Sequence, residues 1–97
     1  MRFSVFLHPD VEKYIDSLSE NERKRCYISL KKLMDDPYKP RSKCDIKKLS
    51  SNNPFYRLRV ENNRFLYIIK QNEVFIEEAF NRKKGYNNRK NIASIEE

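Results

Sequence analysis

Apolar residues recur at different spacings along the chain, and each spacing predicts an element. Phe3, Val5 and Leu7 stand at period two, the signature of a short strand. From His8 the period lengthens. Pro9 suits a first helical position, and Val11, Tyr14, Ile15 and Leu18 form the single apolar stripe of an amphipathic helix. Ser19 with Glu22 reads as a capping box that starts a second helix, whose stripe is Cys26, Leu30, Leu33 and Met34 and whose stop is Pro37. Two helices joined this tightly form an antiparallel hairpin, and their stripes need an apolar sheet face to cover. "PYKPRSK" is a loop by its two prolines. "CDIKKL" is an edge strand, followed by a polar turn at Ser50 to Pro54.

The stretch "FYRLRVENNRFLYII", Phe55 to Ile69, reads as a β-hairpin, because Asn62-Asn63 lies between two apolar runs and Asn tolerates the positive φ of a two-residue turn. With those two residues as the loop, Glu61 faces Arg64, Val60 faces Phe65 and Tyr56 faces Ile69. Alternation then sorts the side chains. Tyr56, Leu58, Val60, Phe65, Tyr67 and Ile69 share one apolar face, the core. Arg57, Arg59 and Arg64 share the other with Phe55, Leu66 and Ile68. A second tight turn at Gln71-Asn72 returns "EVFIEEAF" as a further strand, and simple register sets Leu66 opposite Glu77, placing that carboxylate on the arginine face as a salt-bridge partner or, less simply, a base. The expected architecture is α+β in two layers: an antiparallel sheet of about four to five strands, in the order β-α-α-β-β-β-β, with the helical hairpin on one face. Residues 1–97 form one domain, and the tail 87–97 is a frayed end, a short helix or part of a partner interface.

Charge sharpens this picture once it is located. The net +7 arises entirely between residues 37 and 70, which hold nine Lys/Arg against two Asp/Glu; residues 1–36 balance at seven and seven, and residues 71–97 at five and five. A localised basic surface attracts polyanions, so nucleic acid leads the candidate partners, with an acidic protein behind it. No amphipathic helix with a basic face supports a membrane partner. The longest apolar run, Phe65 to Ile69, is too short to span a bilayer, and the N-terminus lacks a signal-peptide stretch, so the cytoplasm is the expected location. Cys26 and Cys44 are expected as reduced thiols.

Several chemistries are excluded by counting. One histidine, His8, rules out a two-histidine ribonuclease mechanism, and its place before Pro9 marks it as a helix-initiating residue. One glycine leaves no phosphate-cradling loop, and no His, Cys, Asp and Glu cluster has metal-ligand spacing, so no cofactor or metal is expected. The three arginines have a plain reading as solvated charges that block edge-to-edge aggregation. The apolar residues among them argue for a half-covered face that binds an anion. Lys47 and Lys48 extend the basic stretch. After the last strand, "NRKKGYNNRK" carries Arg82, Lys83, Lys84, Arg89 and Lys90 around Tyr86 without an acidic residue; basic side chains interleaved with an aromatic suit RNA, and Lys47, Lys48, Lys83 and Lys84 are the expected RNA-binding lysines.

In order and spacing, "FSVFLHPDVEKYIDSL", "DIKKLSS", "FYRLRVENNRFLYII" and "NRKKGY" resemble the RelE/ParE toxin superfamily over roughly residues 3 to 86, specifically its RelE-like messenger-RNA endoribonucleases. The last piece is similar to the family's His-Arg-x-x-x-Tyr ending, with Asn81 in place of the histidine. The resemblance implies the toxin of a toxin-antitoxin pair, cutting messenger RNA in the ribosomal A site through 2′-OH attack. It also implies contacts with ribosomal RNA and silencing by an acidic antitoxin. The implied functional positions are Arg57, Arg59, Arg64, Arg82 and Tyr86. Two other readings stay open: a ParE-like toxin that inhibits DNA gyrase without nuclease chemistry, and a basic RNA-binding module without catalysis.

Overall fold

A computed structural model describes residues 2–83 of the chain; Lys84, Tyr86 and the tail expected to touch a partner lie outside the described residues. Among the described residues seven elements follow in chain order: β1 (Ser4–Leu7), α1 (Pro9–Asp16), α2 (Glu20–Lys32), β2 (Asp45–Ser50), β3 (Asn53–Val60), β4 (Asn63–Lys70) and β5 (Glu73–Asn81). Among the described residues no helix is long and apolar enough to cross a membrane.

Local chemistry sets the helix ends. His8 caps α1, its Nδ1 accepting from the Asp10 N–H at 3.0 Å, and Pro9 occupies the first turn, where its missing N–H is no loss. Ser19 caps α2 by accepting from the Glu22 N–H at 3.3 Å, as the capping-box spacing predicts. Acidic residues in the first turn of α2 and lysines in its last complement the helix dipole. The helices cover one face of a single five-stranded sheet in the order β1-β5-β4-β3-β2. Val11 and Ile15 from α1, Cys26 and Leu30 from α2, and Leu33 at the C-cap of α2 pack on Leu58, Val60, Phe65, Tyr67, Val74, Ile76 and Ala79, the core. Both cysteines are buried free thiols.

The four C-terminal strands form the expected antiparallel meander, with β2 at one edge. The sheet as a whole is mixed, because β1 pairs with β5 in parallel. No short loop ties these two strands: the helical hairpin carries the chain from β1 across the covered face to β2 at the opposite edge, a connection long enough for parallel pairing.

Two register details depart from the sequence reading. The first hairpin turns at Glu61-Asn62, with Glu61 at φ 58°, so Val60 pairs with Asn63, Arg59 with Arg64 and Tyr56 with Tyr67. Asn63 is drawn out of the turn by a tertiary partner: its side-chain carbonyl accepts the Tyr14 hydroxyl from α1 and its Nδ2 donates to the Val60 carbonyl at 3.2 Å. The slip moves each partner by two positions, so both face assignments survive. The second departure is a bulge opposite Leu66/Tyr67, which pairs Leu66 with Glu78 instead of Glu77. Strict alternation from Val74 and Ile76 would drive the Glu78 carboxylate into the core; one extra residue sends both glutamates outward and returns Ala79 to the interior.

Candidate functional site

The sheet face away from the helices carries the arginines in two rows. Strand register sets Asp45, Arg59, Arg64 and Phe80 side by side across four strands, and Lys47, Arg57, Leu66 and Glu78 in the next row. Cross-strand neighbours share a face, so one surface collects three arginines, a lysine and two carboxylates around Leu66 and Phe80. Those two residues are themselves buried, with Leu49 and Phe55 packed on them. The site therefore has a small apolar floor of its own.

The arginines are not equivalent. Arg57 is 6% exposed and Arg64 2%, whereas the Arg59 side chain is 47% exposed. Arg64 Nη1 donates to the Glu61 carbonyl at 2.7 Å, holding the guanidinium against the hairpin turn. Asp45 joins the other two: its Oδ1 accepts from Arg57 Nη2 at 2.9 Å, and its Oδ2 from Arg59 Nε at 2.7 Å and Nη2 at 2.6 Å. Charged groups are rarely this buried on a sheet face without a counter-charge. The carboxylate expected to organise the cluster was Glu77; the bulge and the β2–β3 register give that place to Asp45.

The other candidate positions divide by face and by end. Lys47 is exposed beside Arg57 on the arginine face. Lys48 points to the opposite face, where its ammonium donates to the Asn53 carbonyl at 2.6 Å and the Ser50 carbonyl at 3.0 Å and lies 5.3 Å from the Tyr56 ring centroid; the register separates it from the arginines. Asn81 pairs with Asn63, and the Arg82 N–H donates to the Asn62 carbonyl at 2.7 Å, so the end of β5 runs beside the turn that Arg64 braces. Arg82 and Lys83 are exposed there. Tyr14 approaches the same end from the core side, and burial, with Cys26 and Glu22 nearby, pushes its hydroxyl up to about 12.

The far side of β2 opens into a cleft of about 300 Å³, lined in part by Arg25, Ile28, Lys43, Asp45 and Arg59, so the exposed arginine borders two surfaces. The loop leading into β2 is fixed by Arg41, whose guanidinium donates to the carbonyls of Lys32, Asp36 and Lys39, and by the Tyr67 hydroxyl, which donates to the Pro37 carbonyl at 2.7 Å. These bonds set where Asp45 begins its strand. Among the described residues, no group of three or more His, Cys, Asp or Glu is placed to hold a metal ion. The arrangement can grip a phosphate through several guanidinium donors at once, against an apolar floor that excludes water.

No protein-family model matches the chain, and no curated protein matches it in sequence. Solved structures do. The archaeal RelE in a RelE-RelB complex from Pyrococcus horikoshii OT3 superposes with a TM-score of 0.74 at 26% identity, over 88% of this chain and 100% of that one. The RelB-RelE antitoxin-toxin complex from Methanococcus jannaschii matches with a TM-score of 0.69 at 20% identity, over 86% and 96%. An Escherichia coli RelE toxin with two arginines replaced by alanine, in the free state, matches with a TM-score of 0.66 at 15% identity, over 98% and 94%. In strand order and in the helical hairpin that covers one face, the chain is RelE-like, sharing its fold with these RelE toxins.

Proposed function

We propose that the chain is a ribosome-dependent messenger-RNA endoribonuclease, the toxin of a type II toxin-antitoxin pair. The toxin half of this reading is supported by the RelE neighbours. The observation that carries the nuclease half is the arginine face: Arg57 and Arg64 buried and Arg59 at the border, gathered by register over a Leu66 and Phe80 floor. Solvated charges that merely discourage aggregation would not be buried in this way.

In this reading the ribose 2′-oxygen attacks the adjacent phosphorus. The new P–O2′ bond forms as the P–O5′ bond breaks, giving a 2′,3′-cyclic phosphate and a 5′-hydroxyl; one proton leaves the 2′-oxygen and one reaches the departing 5′-oxygen. Arg57, Arg59 and Arg64 stabilise the charge that develops on the phosphorane oxygens, donors preorganised by the sheet. Arg82 reaches the phosphate from the end of β5, and Tyr86 stacks on an A-site base and offers its hydroxyl for proton transfer. Lys47 and Lys83 guide the RNA backbone along the same side. Arginine remains charged at any accessible pH, so the proton acceptor is another group. The reaction needs no metal. The partner that silences it is an acidic antitoxin laid against the arginine face, in keeping with the RelB chains bound to two of the neighbours, and the site of action is the cytoplasm.

Primer extension on translating ribosomes tests the reading directly. The expected result is cleavage within A-site codons that persists in EDTA and leaves 2′,3′-cyclic phosphate and 5′-hydroxyl ends. Ends bearing 3′-hydroxyl and 5′-phosphate, or loss of cleavage in EDTA, would refute the mechanism. Intact messenger RNA with blocked gyrase supercoiling would assign the chain to ParE-like chemistry, and bound but uncut RNA to a binding module.

A further inference from the structure

Only two acidic residues lie between positions 37 and 70, and one of them, Asp45, stands inside the arginine row. An added negative charge ought to weaken an anion site, so its position calls for a compensating benefit. Arg57 and Arg59 sit two residues apart on β3, and their like charges would drive the heads apart. Asp45 opposes that. Its two oxygens take one head each, at 2.9 Å to Arg57 and at 2.6 and 2.7 Å to Arg59, drawing both guanidiniums toward a common point beside the cross-strand neighbour Arg64. A guanidinium carries five N–H donors in a fixed plane, so holding one edge orients the whole head.

The geometry points to Asp45 as a positioning residue, a carboxylate that holds the Arg57 and Arg59 heads together so that both meet one scissile phosphate. This rests on the nuclease reading above and deepens it. Asp45 touches no reacting atom; it acts through the two arginines. Its side chain is 42% exposed at the sheet edge, so it tethers the heads without being sealed in with them. The opposite role, an internal anion that competes with RNA for the arginines, predicts effects of opposite sign.

The test uses the full chain with Asp45→Ala, Asp45→Asn and Asp45→Glu. Arginine-selective ¹⁵N NMR reads the positioning without reference to activity. The Nε–H signal of Arg59 should be distinct and slow to exchange in the wild type, and collapse toward the free-arginine position in Asp45→Ala while that of Arg64 persists; an unchanged Arg59 signal overturns the inference. On translating ribosomes, single-turnover cleavage by Asp45→Ala should fall about tenfold to a hundredfold, the scale of a misplaced reactive group. Affinity for messenger RNA blocked by a 2′-deoxy sugar at the cleavage point should stay level or tighten. Asp45→Glu should recover part of the rate. Cleavage at or above the wild-type rate in Asp45→Ala would instead make Asp45 a competitor, and a loss of affinity that accounts for the whole loss of rate would make it structural. Asp45→Asn, matched in shape, serves if the alanine variant does not fold. A wild-type protein that leaves ribosome-bound messenger RNA intact would sink the nuclease reading while the NMR result still decides whether Asp45 holds the arginine heads.

Discussion

Replacing Arg59 by alanine separates the site from the fold, because the two energies involved differ in scale. The Arg59 side chain is 47% exposed and its ion pair with Asp45, at 2.6 Å, lies at the border of the sheet face where water and salt compete. Pairs of that kind contribute about 0.2–1 kcal/mol. In a domain of this size each kcal/mol moves Tm by roughly 4–8 °C, so the melt should drop by no more than about 8 °C. Catalysis is expected to lose far more. Removing one preorganised donor from a developing anion costs about 10² to 10³ in rate, or ~2.7–4 kcal/mol. The variant should therefore remain folded and cut messenger RNA at least about a hundredfold more slowly, read by single-turnover primer extension on ribosomes beside a thermal melt. Arg59→Lys keeps the charge but loses the planar fork, and should recover only part of the rate. Arg64→Ala is a poorer probe, since that residue is 2% exposed and braces the hairpin turn, so its loss perturbs fold and site together. Wild-type cleavage by a folded Arg59→Ala protein would refute the assignment of this face as the site.

Two further outcomes concern the fold beneath the site. Tyr67→Phe deletes the hydroxyl that donates to the Pro37 carbonyl and should cost about 1–3 kcal/mol, the usual penalty for stranding a buried acceptor, seen as a lower urea midpoint; an unchanged midpoint would mean that water replaces the bond. At alkaline pH, Cys26 is pushed by burial and by Glu22 and Glu61 from 9.0 to about 12, and Tyr14 from 10.0 to about 12. Both hold their protons more tightly when folded, so their stabilisation is complete below about pH 9 and is lost as pH rises toward 12. Urea midpoints measured across that window should fall, and Cys26→Ala should delay the onset of the fall; a flat profile would contradict the burial of both groups.

The elements were legible where one chemistry dominated. His8-Pro9 and Ser19 with Glu22 opened the helices as their capping groups demand, and the period-two pattern sorted the β3–β4 hairpin into core and arginine faces although its turn was misplaced by one residue. Parity protected that result: a slip of two in pairing leaves every side chain on its face. What stayed hidden depended on partners distant in sequence. Asn63 left the turn because Tyr14, 49 residues away, takes its carbonyl. The β5 bulge follows from the cost of burying Glu78, a signal visible in "FIEEAF" once Ala79 is recognised as the only small apolar residue able to follow Ile76 inward. Asp45 was overlooked because its pairing with Arg59 depends on the β2–β3 register, which shifts between Lys48 and Ser50. Its period-two spacing from Lys47 was the available clue.

Arg57 offers the strictest test of whether function or folding keeps charge on this face. The residue is 6% exposed and lies beside Leu66, in surroundings where an apolar side chain of similar length would pack without desolvating a cation. Replacing buried ionic groups by well-packed hydrophobic ones is often neutral or stabilising by 1–4 kcal/mol, provided no uncompensated charge remains. On the Asp45 side that proviso is met, because Asp45 is 42% exposed and keeps its contacts with Arg59. Arg57→Met should thus leave Tm unchanged or raise it while slowing cleavage by about 10² or more. A stabler protein with a crippled site is the mark of residues retained at the expense of stability. If Arg57→Met instead melts many degrees lower, the buried guanidinium is part of the fold, and its place on the arginine face no longer argues for a catalytic role.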